Sequence, residues 1–360
     1  MTPLLGKNIT ELCDIAVETG MKRFVGKQLA HWLYIKRVTS IDEMTNLPQK
    51  GKEVLKKKYI VGRYQPMANA VSKDGTCKYL FCIPSNRQPT YVETVFLPED
   101  DRATLCLSTQ AGCRMGCRFC MTGTLGFNKH LTAADILNQI FTIDALHGNS
   151  LTNLVYMGEG EPLDNIDEVL RSIEILTAGY GCGWSPHRIT VSTVGFLPAL
   201  KKFLDGCDCH LAISLHNPFP DERAEMMPAE KAYPIARVLS SLQEDIGTSH
   251  TPNRDFRRQR RLSFEYICFA GKNDTPRHAR ALLHLLHNLP CRINLIRFHT
   301  DKQSDTTDKT SSQENFSPSN PDTMVWLRDY LTAHGITTTI RRSRGEDILA
   351  ACGMLVNALA

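Results

Sequence analysis

The chain has 360 residues, 42% of them hydrophobic and 22% charged, and a formal net charge of +4. This length and composition are typical of a soluble globular protein with one large domain and a smaller one. The start of the chain lacks the pattern of a secretory signal, and no window has about 18 uninterrupted apolar residues, so we expect a cytoplasmic protein with no membrane partner.

Residues 1–75 are predicted to form a small basic helical domain, because apolar residues such as Phe24, Leu29 and Trp32 recur at helical spacing among lysines and arginines. In residues 76–102 the pattern becomes strand-like, with YLFCIP and TYVETVFLP separated by the turn-rich SNRQP. We therefore expect a β-hairpin that links the helical domain to residues 103–360.

Short apolar strands alternate with helical stretches from Ala103 onward. The predicted strands are ATLCLS, TNLVYM, RITVST, HLAISLH, LSFEYICFA and RINLIRF, each followed by a helix or a loop. Six such alternations predict an α/β fold with a parallel sheet, either open or curled into a partial barrel. Ligands bind at the carboxyl ends of the strands in such folds.

Two runs concentrate basic charge, and one polar segment breaks the alternation. The runs RDFRRQRR (254–261) and RRSR (341–344) concentrate guanidinium groups that suit phosphate. Solvated surface charge is an equally good explanation for the first run taken alone. Residues 300–322 are almost wholly polar and are predicted to form a mobile surface loop.

The sequence CRMGCRFC places Cys113, Cys117 and Cys120 in a tight loop directly after the first predicted strand. The chain has 13 cysteines, an odd number, which favours metal or redox chemistry over a disulfide framework. Three thiolates in such a loop occupy three corners of a tetrahedral or cubane site. A structural zinc would need a fourth ligand, for which Cys106 is available, whereas a cubane with three protein ligands leaves one iron for another molecule.

The cysteine spacing is that of the radical S-adenosylmethionine superfamily, and the rest of the chain resembles its RlmN/Cfr family of RNA methyltransferases. The resemblance rests on TLCLSTQAGCRMGCRFCMTGTLGF, YMGEGEPLDN, RITVSTVGFLPAL, LAISLHNPFPDERAEMMPAEKAYPI, FAGKNDTPRHA, INLIRFH and RRSRGEDILAACG, which stand in the family's order. It implies a radical S-adenosylmethionine partial (β/α)6 barrel with a small N-terminal helical domain. It also implies one [4Fe-4S] cluster held by Cys113, Cys117 and Cys120, with S-adenosylmethionine on the open iron.

The resemblance further implies a set of residues that contact S-adenosylmethionine. They are Gly160, Glu161, Ser192, Ser214, Leu215, His216 and His299, the last of which stands where the family commonly has asparagine. Glu159 stands where the family usually has methionine. A carboxylate such as Glu161 neutralises the amino group of the cofactor, and Gly160 permits a close backbone approach.

Cys352, Cys106 and Glu93 match the family's catalytic positions. Cys352 is implied to accept a methyl group from the first of two S-adenosylmethionine molecules used per turnover, since a thiolate attacks a sulfonium methyl and an adenine ring carbon does not. Cys106 is implied to resolve a transient protein–RNA adduct by forming a disulfide with Cys352. Glu93 is implied to be the proton acceptor.

The resemblance implies methylation of carbon 2 of an adenosine in 23S rRNA, at the peptidyl transferase centre, and in tRNA next to the anticodon. It also implies an external electron donor such as a flavodoxin-type protein. Phosphate-binding candidates in the amino-terminal domain are Lys22, Arg23, Lys27, Lys36 and Arg37. We expect a monomer, because nothing in the sequence indicates a repeated interface.

Three alternatives stay open from the sequence. A Cfr-like enzyme acting on carbon 8 of the same rRNA adenosine shares the motifs, although RRSRGEDI and PEDDRATLC favour carbon 2. A radical enzyme acting on a small molecule or peptide would cleave the cofactor without methylating adenine. A zinc-stabilised, non-catalytic RNA-binding protein would hold metal without iron or labile sulfide.

Overall fold

The computed structural model describes residues 1–84, 89–248, 260–299 and 316–355. Most of the polar segment 300–322 and most of the basic run 254–261 lie outside the described residues, so the predictions made for these segments stay predictions. Within the described ranges, none of the helices combines the length and the apolar character needed to span a membrane.

The amino-terminal unit is helical and is closed by a short parallel strand pair. Its elements are β1 (Thr2–Pro3), α1 (Ile9–Glu18), α2 (Val25–Ala30), a π-helical turn (His31–Ile35), a 3-10 turn (Ile41–Glu43), α3 (Gln49–Lys58) and β2 (Tyr59–Ile60). Helix α1 begins with a capping box, in which the Asn8 side chain accepts from Glu11 N at 3.1 Å and the Glu11 carboxylate accepts from Asn8 N at 2.9 Å.

The remaining elements alternate between strand and helix as predicted from Ala103 onward. The strands are β3 (Ala68–Val71), β4 (Cys77–Ile83), β5 (Thr90–Pro98), β6 (Ala103–Cys106), β7 (Gln110–Gly112), β8 (Phe127–His130), β9 (Asn153–Tyr156), β10 (Ile189–Thr193), β11 (His210–Ser214), β12 (Leu262–Cys268), β13 (Cys291–Arg297) and β14 (Thr337–Ile340). The helices are α4 (Met121–Thr124), α5 (Ala133–Leu146), α6 (Ile166–Thr177), α7 (Leu197–Gly206), α8 (Pro220–Met226), α9 (Ile235–Thr248), α10 (Pro276–Leu286) and α11 (Pro321–Ala333).

In the described part of the chain, seven strands form a continuous parallel array in the order β6-β9-β10-β11-β12-β13-β14. Strand order in this array equals chain order, so successive crossovers run in one direction and carry their helices to one face of the sheet. The predicted α/β fold with a parallel, curled sheet is confirmed. Strand β14 adds a seventh parallel strand to the six predicted from the sequence.

The predicted linker hairpin is instead part of the main sheet. Strands β3, β4 and β5 pair antiparallel and join the parallel array through β5 and β6, where Val95 is opposite Cys106. The predicted helical character of residues 1–75 ends at Lys58, and Ala68–Val71 is an edge strand. All but one of the residues of β4 are buried, including Lys78. Both faces of β4 are therefore covered, as in a strand of the main sheet.

Helix α5 joins the amino-terminal unit to the barrel. Nearly every residue of α5 is buried, because the sheet covers one side and the amino-terminal segment the other. Asn138 exchanges two hydrogen bonds of 3.0 Å with the Tyr64 backbone, and Asp144 pairs with Arg37 at 2.5 Å. These contacts hold α5 against the amino-terminal segment. In the chain, α5 lies between the neighbouring strands β6 and β9.

Candidate active site

A cavity of about 150 Å³ lies at the carboxyl ends of the parallel strands. Predicted site residues that line it are Cys113, Cys117, Cys120, Gly160, Glu161, Ser192, Ser214, His216 and Cys352. Residues from the cysteine loop, three strand ends and the carboxyl-terminal segment thus share one space. Glu93, Cys106, Leu215 and His299 are not in its lining.

The cysteine loop runs from β7 to α4 and is closed by the β7–β8 hairpin. Gly112 has a φ of +68°, and a Cβ built there would lie 1.8 Å from Gly126 O, so only glycine fits this crossing. The loop is held by two backbone bonds, from Cys113 N to Gly126 O at 2.9 Å and from Cys120 N to Cys117 O at 3.1 Å. The tight loop therefore brings all three cysteines to one wall of the cavity.

The three sulfurs have surroundings that disfavour the free thiolate. Burial raises the pKa of Cys113 to about 12 and raises the pKa values of Cys117 and Cys120 above their ordinary value. Apolar side chains that include Met115 and Phe119 pack against them. A cationic group is what stabilises three thiolates in such a place.

The donor set fits an iron–sulfur cluster. Among the described residues, no three Cys, His, Asp or Glu side chains are arranged to hold a single metal ion. The three cysteines border one shared space, which is how thiolates hold the corners of a cluster. Cys106, the fourth ligand considered for zinc, interacts with Cys352 and Arg341.

The turn after β9 presents a backbone and a carboxylate to the cavity. Gly160 has a φ of +97°, and a Cβ there would lie 2.4 Å from the Gln110 side chain. The Glu161 carboxylate accepts from Leu163 N at 3.0 Å and from Val194 N at 2.9 Å. Burial raises the pKa of Glu161 to about 7, so a bound ammonium group would favour its charged form.

Ser192 and Ser214 lie at the carboxyl ends of β10 and β11, and His216 follows β11. The His216 ring accepts from Ile267 N through Nδ1 at 3.0 Å, which leaves Nε2 to carry the proton. Burial lowers the pKa of His216 to about 3, so the ring is neutral and acts as a hydrogen-bond donor. Phe119 from the cysteine loop packs against this ring with centroids 4.9 Å apart.

Two residues predicted to contact the cofactor, Leu215 and His299, are not among the residues that line the cavity. Leu215 is fully buried in the core, and its carbonyl accepts from Arg223 Nε at 2.9 Å. His299 faces Ser343 Oγ at 2.7 Å and Glu346 Oε2 at 3.3 Å. His299 thus contacts Ser343 and Glu346 in the segment that follows β14.

Cys352 and Cys106 are brought together although 246 positions separate them in the sequence. Cys352 is exposed and lines the cavity, and Met121 N in α4 anchors its neighbour Gly353 through the carbonyl at 2.8 Å. Burial raises the pKa of Cys106 to about 12, the Cys352 sulfur raises it further, and Arg341 opposes both. The two sulfurs are therefore close enough to interact electrostatically.

Glu93 lies in a buried charged group beneath the carboxyl-terminal segment. Lys78 Nζ is 2.9 Å from Glu93 Oε1, and neither side chain is more than 1% exposed. The Glu159 carboxylate accepts from Glu93 N at 2.8 Å and from Gly112 N at 3.2 Å, and burial raises the pKa of Glu159 to about 8. Glu159 thus links β5, which contains Glu93, to β7, which precedes the cysteine loop.

Sequence reasoning missed two charged residues in the cavity wall, Arg341 and Glu265. Glu265 was visible as a carboxylate inside the otherwise apolar strand LSFEYICFA, since an ion rarely occupies a buried strand without a partner. Arg341 was assigned to a phosphate-binding run because β14, which turns it inward, was not predicted.

Comparisons with known proteins agree with this geometry. Residues 107–251 match the family described as "Radical SAM superfamily", and residues 2–61 match the "Ribosomal RNA large subunit methyltransferase N-terminal domain". The chain is 52% identical over 356 residues to a "Probable dual-specificity RNA methyltransferase RlmN" of Bacteroides fragilis, covering 99% of this chain and 96% of that one. The chain belongs to the RlmN family of radical S-adenosylmethionine methyltransferases.

Two further proteins are similar to this chain over 99% of its length. A protein of the same printed name from Porphyromonas gingivalis is 51% identical, covering 99% of this chain and 97% of that one. The crystal structure of a radical S-adenosylmethionine methyltransferase from Sphaerobacter thermophilus superposes with a TM-score of 0.86 at 32% identity, covering 99% of both chains. As a radical S-adenosylmethionine enzyme, the protein uses this cofactor and a [4Fe-4S] cluster.

The basic residues of the RlmN-type amino-terminal domain have different environments. Lys22, Lys27 and Lys36 are exposed. Arg23 pairs with Asp14 at 2.6 Å, and Arg37 is half-buried against helix α5. The lysines are therefore better placed to meet a phosphate backbone than Arg37, whose charge is used within the protein.

Proposed function

We propose that this enzyme methylates carbon 2 of an adenosine in 23S rRNA and in tRNA next to the anticodon. In this proposal Cys352 carries the methyl group, and the protein and the RNA are transiently joined. The exposed lysines of the amino-terminal domain bind the RNA phosphates, and an external flavodoxin-type protein supplies the electron. The names of the relatives support an RNA substrate with two specificities.

The placement of Cys352 supports this proposal more than any other observation. It lines the same cavity as Cys113, Cys117 and Cys120, although it lies near the end of the described chain. Its neighbour Gly353 is bonded to α4 directly after the cysteine loop. A thiol at this position faces both a bound cofactor and a base that enters from outside.

The predicted residues that line the cavity then have defined tasks. When bound, the cluster and S-adenosylmethionine supply the methyl group and a 5′-deoxyadenosyl radical. Cys113, Cys117 and Cys120 hold the cluster, and Glu161 holds the ammonium group of the cofactor. Residues at the ends of the next two strands, Ser192, Ser214 and His216, present hydrogen-bonding groups to the same ligand.

Methyl transfer to Cys352 is a substitution at carbon. The Cys352 thiolate attacks the sulfonium methyl, a sulfur–carbon bond forms, and S-adenosylhomocysteine leaves with the electron pair of the broken bond. A bound cofactor would supply the 5′-deoxyadenosyl radical that takes one hydrogen atom from this methyl, so that the carbon on Cys352 bonds to the adenine ring. The unpaired electron left on the adduct would return to the cluster. The target base must be unstacked to reach the cavity.

Release of the product requires a base and a second sulfur. Glu93 accepts the ring proton, and Lys78 Nζ lies 2.9 Å from its carboxylate inside the sheet. Cys106 attacks the Cys352 sulfur, so that a disulfide forms while the methylated base leaves. Access to Glu93 requires the segment around Leu349 to move, since Lys78 Nζ lies 3.4 Å from Leu349 O.

The test is methyl loading. The reconstituted enzyme is incubated with S-adenosylmethionine bearing an isotopically labelled methyl group, and its peptides are examined by mass spectrometry. We expect the label on Cys352 of the native enzyme, none on Cys352→Ala, and native loading in the matched control Cys13→Ala, which changes a cysteine of α1. Label on another cysteine, or RNA methylation by Cys352→Ala, would contradict the carrier role.

A further inference from the structure

The Arg341 side chain lines the same cavity as Cys352, at the carboxyl ends of the strands. Arg341 directly follows β14, and its backbone N donates to Leu295 O at 2.7 Å, so the sheet fixes the start of its side chain. The side chain lines the cavity together with Cys352 and Glu265. The proposed function gives Arg341 no task.

Glu265 is the anchor for this arginine. Its Oε1 accepts from Asn294 Nδ2 at 2.7 Å, whereas its buried Oε2 has no hydrogen-bond partner among the described residues. Arg341 Nη1 lies 3.8 Å from that oxygen. A buried carboxylate oxygen without a hydrogen bond is costly, so Glu265 favours a cation at the position that Arg341 occupies.

The Arg341 guanidinium also contacts a group other than Glu265. Arg341 Nη1 donates to Met157 Sδ at 3.5 Å, on the turn after β9. The Cys352 sulfur is the main influence that raises the pKa of Arg341 above its ordinary value, and Glu265 and Cys106 act in the same direction. An arginine has five N–H donors in a planar fork, so Arg341 has donors left for a sulfur after serving Glu265 and Met157.

The neighbouring arginine has another environment. Arg342 is exposed, whereas the Arg341 side chain is 31% exposed and faces the cavity. Arg341 and Arg342 directly follow β14, and neighbouring side chains of a strand point to opposite faces. The outward arginine suits a phosphate, and the inward one suits a group inside the cavity.

We propose that Arg341, anchored by Glu265, is a positioning residue that orients the Cys352 sulfur toward the methyl donor. This inference rests on the carrier role in the proposed function. A thiolate, and not a thiol, forms the bond to the methyl carbon, and the thiol proton leaves to solvent before the attack. The groups that face this sulfur and its arginine are Cys106 on β6, Glu99 after β5, Glu265 on β12 and Arg341 after β14.

The experiment compares Arg341→Gln, Arg341→Lys and Glu265→Gln with the native holoenzyme, and uses Arg342→Gln as a control with the same loss of charge. Two rates are measured between about pH 6.5 and 9.5 by mass spectrometry of the Cys352 peptide. One is labelled methyl transfer from S-adenosylmethionine, and the other is alkylation by iodoacetamide without S-adenosylmethionine. Iron content and thermal unfolding are recorded for every variant, so that loss of the cluster or of the fold is recognised.

We expect Arg341→Gln to slow both rates about tenfold or more at pH 7.5, because the variant lacks the guanidinium that shares the cavity with the Cys352 sulfur. Arg341→Lys recovers part of the loss, since it keeps the charge without the planar fork. Glu265→Gln gives an intermediate loss, and Arg342→Gln stays within about twofold of the native rates.

Equal rates and equal pH profiles in Arg341→Gln and the native enzyme would overturn the inference. So would unchanged loading with a raised KM for RNA, which would make Arg341 a phosphate contact. The failure of the proposed function has a different signature, since the native enzyme would then not be methylated on Cys352 at all. The alkylation rates still decide the role of Arg341 in that case.

Discussion

Replacing Lys78 by Met removes the cation that faces Glu93 inside the sheet. The two charged groups are 2.9 Å apart, with exposed fractions of 1% and 0%. Removing one partner of such a pair costs about 3 to 5 kcal/mol, because the other charge remains buried without compensation. With an unfolding entropy of about 2.1 cal/mol/K per residue, 360 residues give about 1.3 °C per kcal/mol, so Tm falls by roughly 4 to 7 °C.

The assay is thermal unfolding under anaerobic conditions, with Lys73→Met as the matched control. Lys73 is exposed in the turn between β3 and β4, and its loss changes Tm by less than about 1 °C. The double variant Lys78→Met/Glu93→Gln recovers much of the loss, since no unpaired charge remains. If Lys78→Met were as stable as Lys73→Met, or if the double variant were no more stable than Lys78→Met, the ion pair would not have the role assigned to it.

Two further predictions concern the sulfur pair and the buried acid. Cys106→Ala accumulates a covalent protein–RNA adduct during turnover, visible as a retarded band on a denaturing gel, and absence of the adduct would remove Cys106 from the release step. Glu159 has a pKa raised from an ordinary 4.5 to about 8, so its contribution to stability is complete below about pH 4.5 and is lost as the pH rises to 8. Native stability therefore falls relative to Glu159→Gln by up to about 1.4 kcal/mol per pH unit in that window, and parallel pH profiles in chemical denaturation would contradict this.

The parallel sheet was predictable because its strands are short apolar runs separated by amphipathic helices. A strand that is buried on both faces is apolar along most of its length, as the central LAI of HLAISLH is. Strand β14 escaped prediction because its sequence TTTI has a single large apolar residue. The hairpin was found but its pairing with β6 was not, because pairing partners are set by tertiary packing.

The site was predictable where motif residues follow strands, and less so where distant segments meet. The cysteine loop, Gly160 and Glu161 lie where the carboxyl ends of the strands converge, which is a general consequence of parallel topology. His299 also follows a strand, yet its ring bonds to Ser343, because β14 brings that segment alongside. The roles of Lys78 and Arg341 depend on such long-range contacts and could not be inferred from local pattern.

The central claim is that this site methylates carbon 2 of adenosine. The most direct test is anaerobic turnover of the reconstituted enzyme with S-adenosylmethionine, a reductant and either a 23S rRNA fragment or tRNA. The RNA is then digested and analysed by mass spectrometry against authentic 2-methyladenosine and 8-methyladenosine. We predict 2-methyladenosine from both RNAs. Formation of 8-methyladenosine, or cofactor cleavage without either product, would contradict the account.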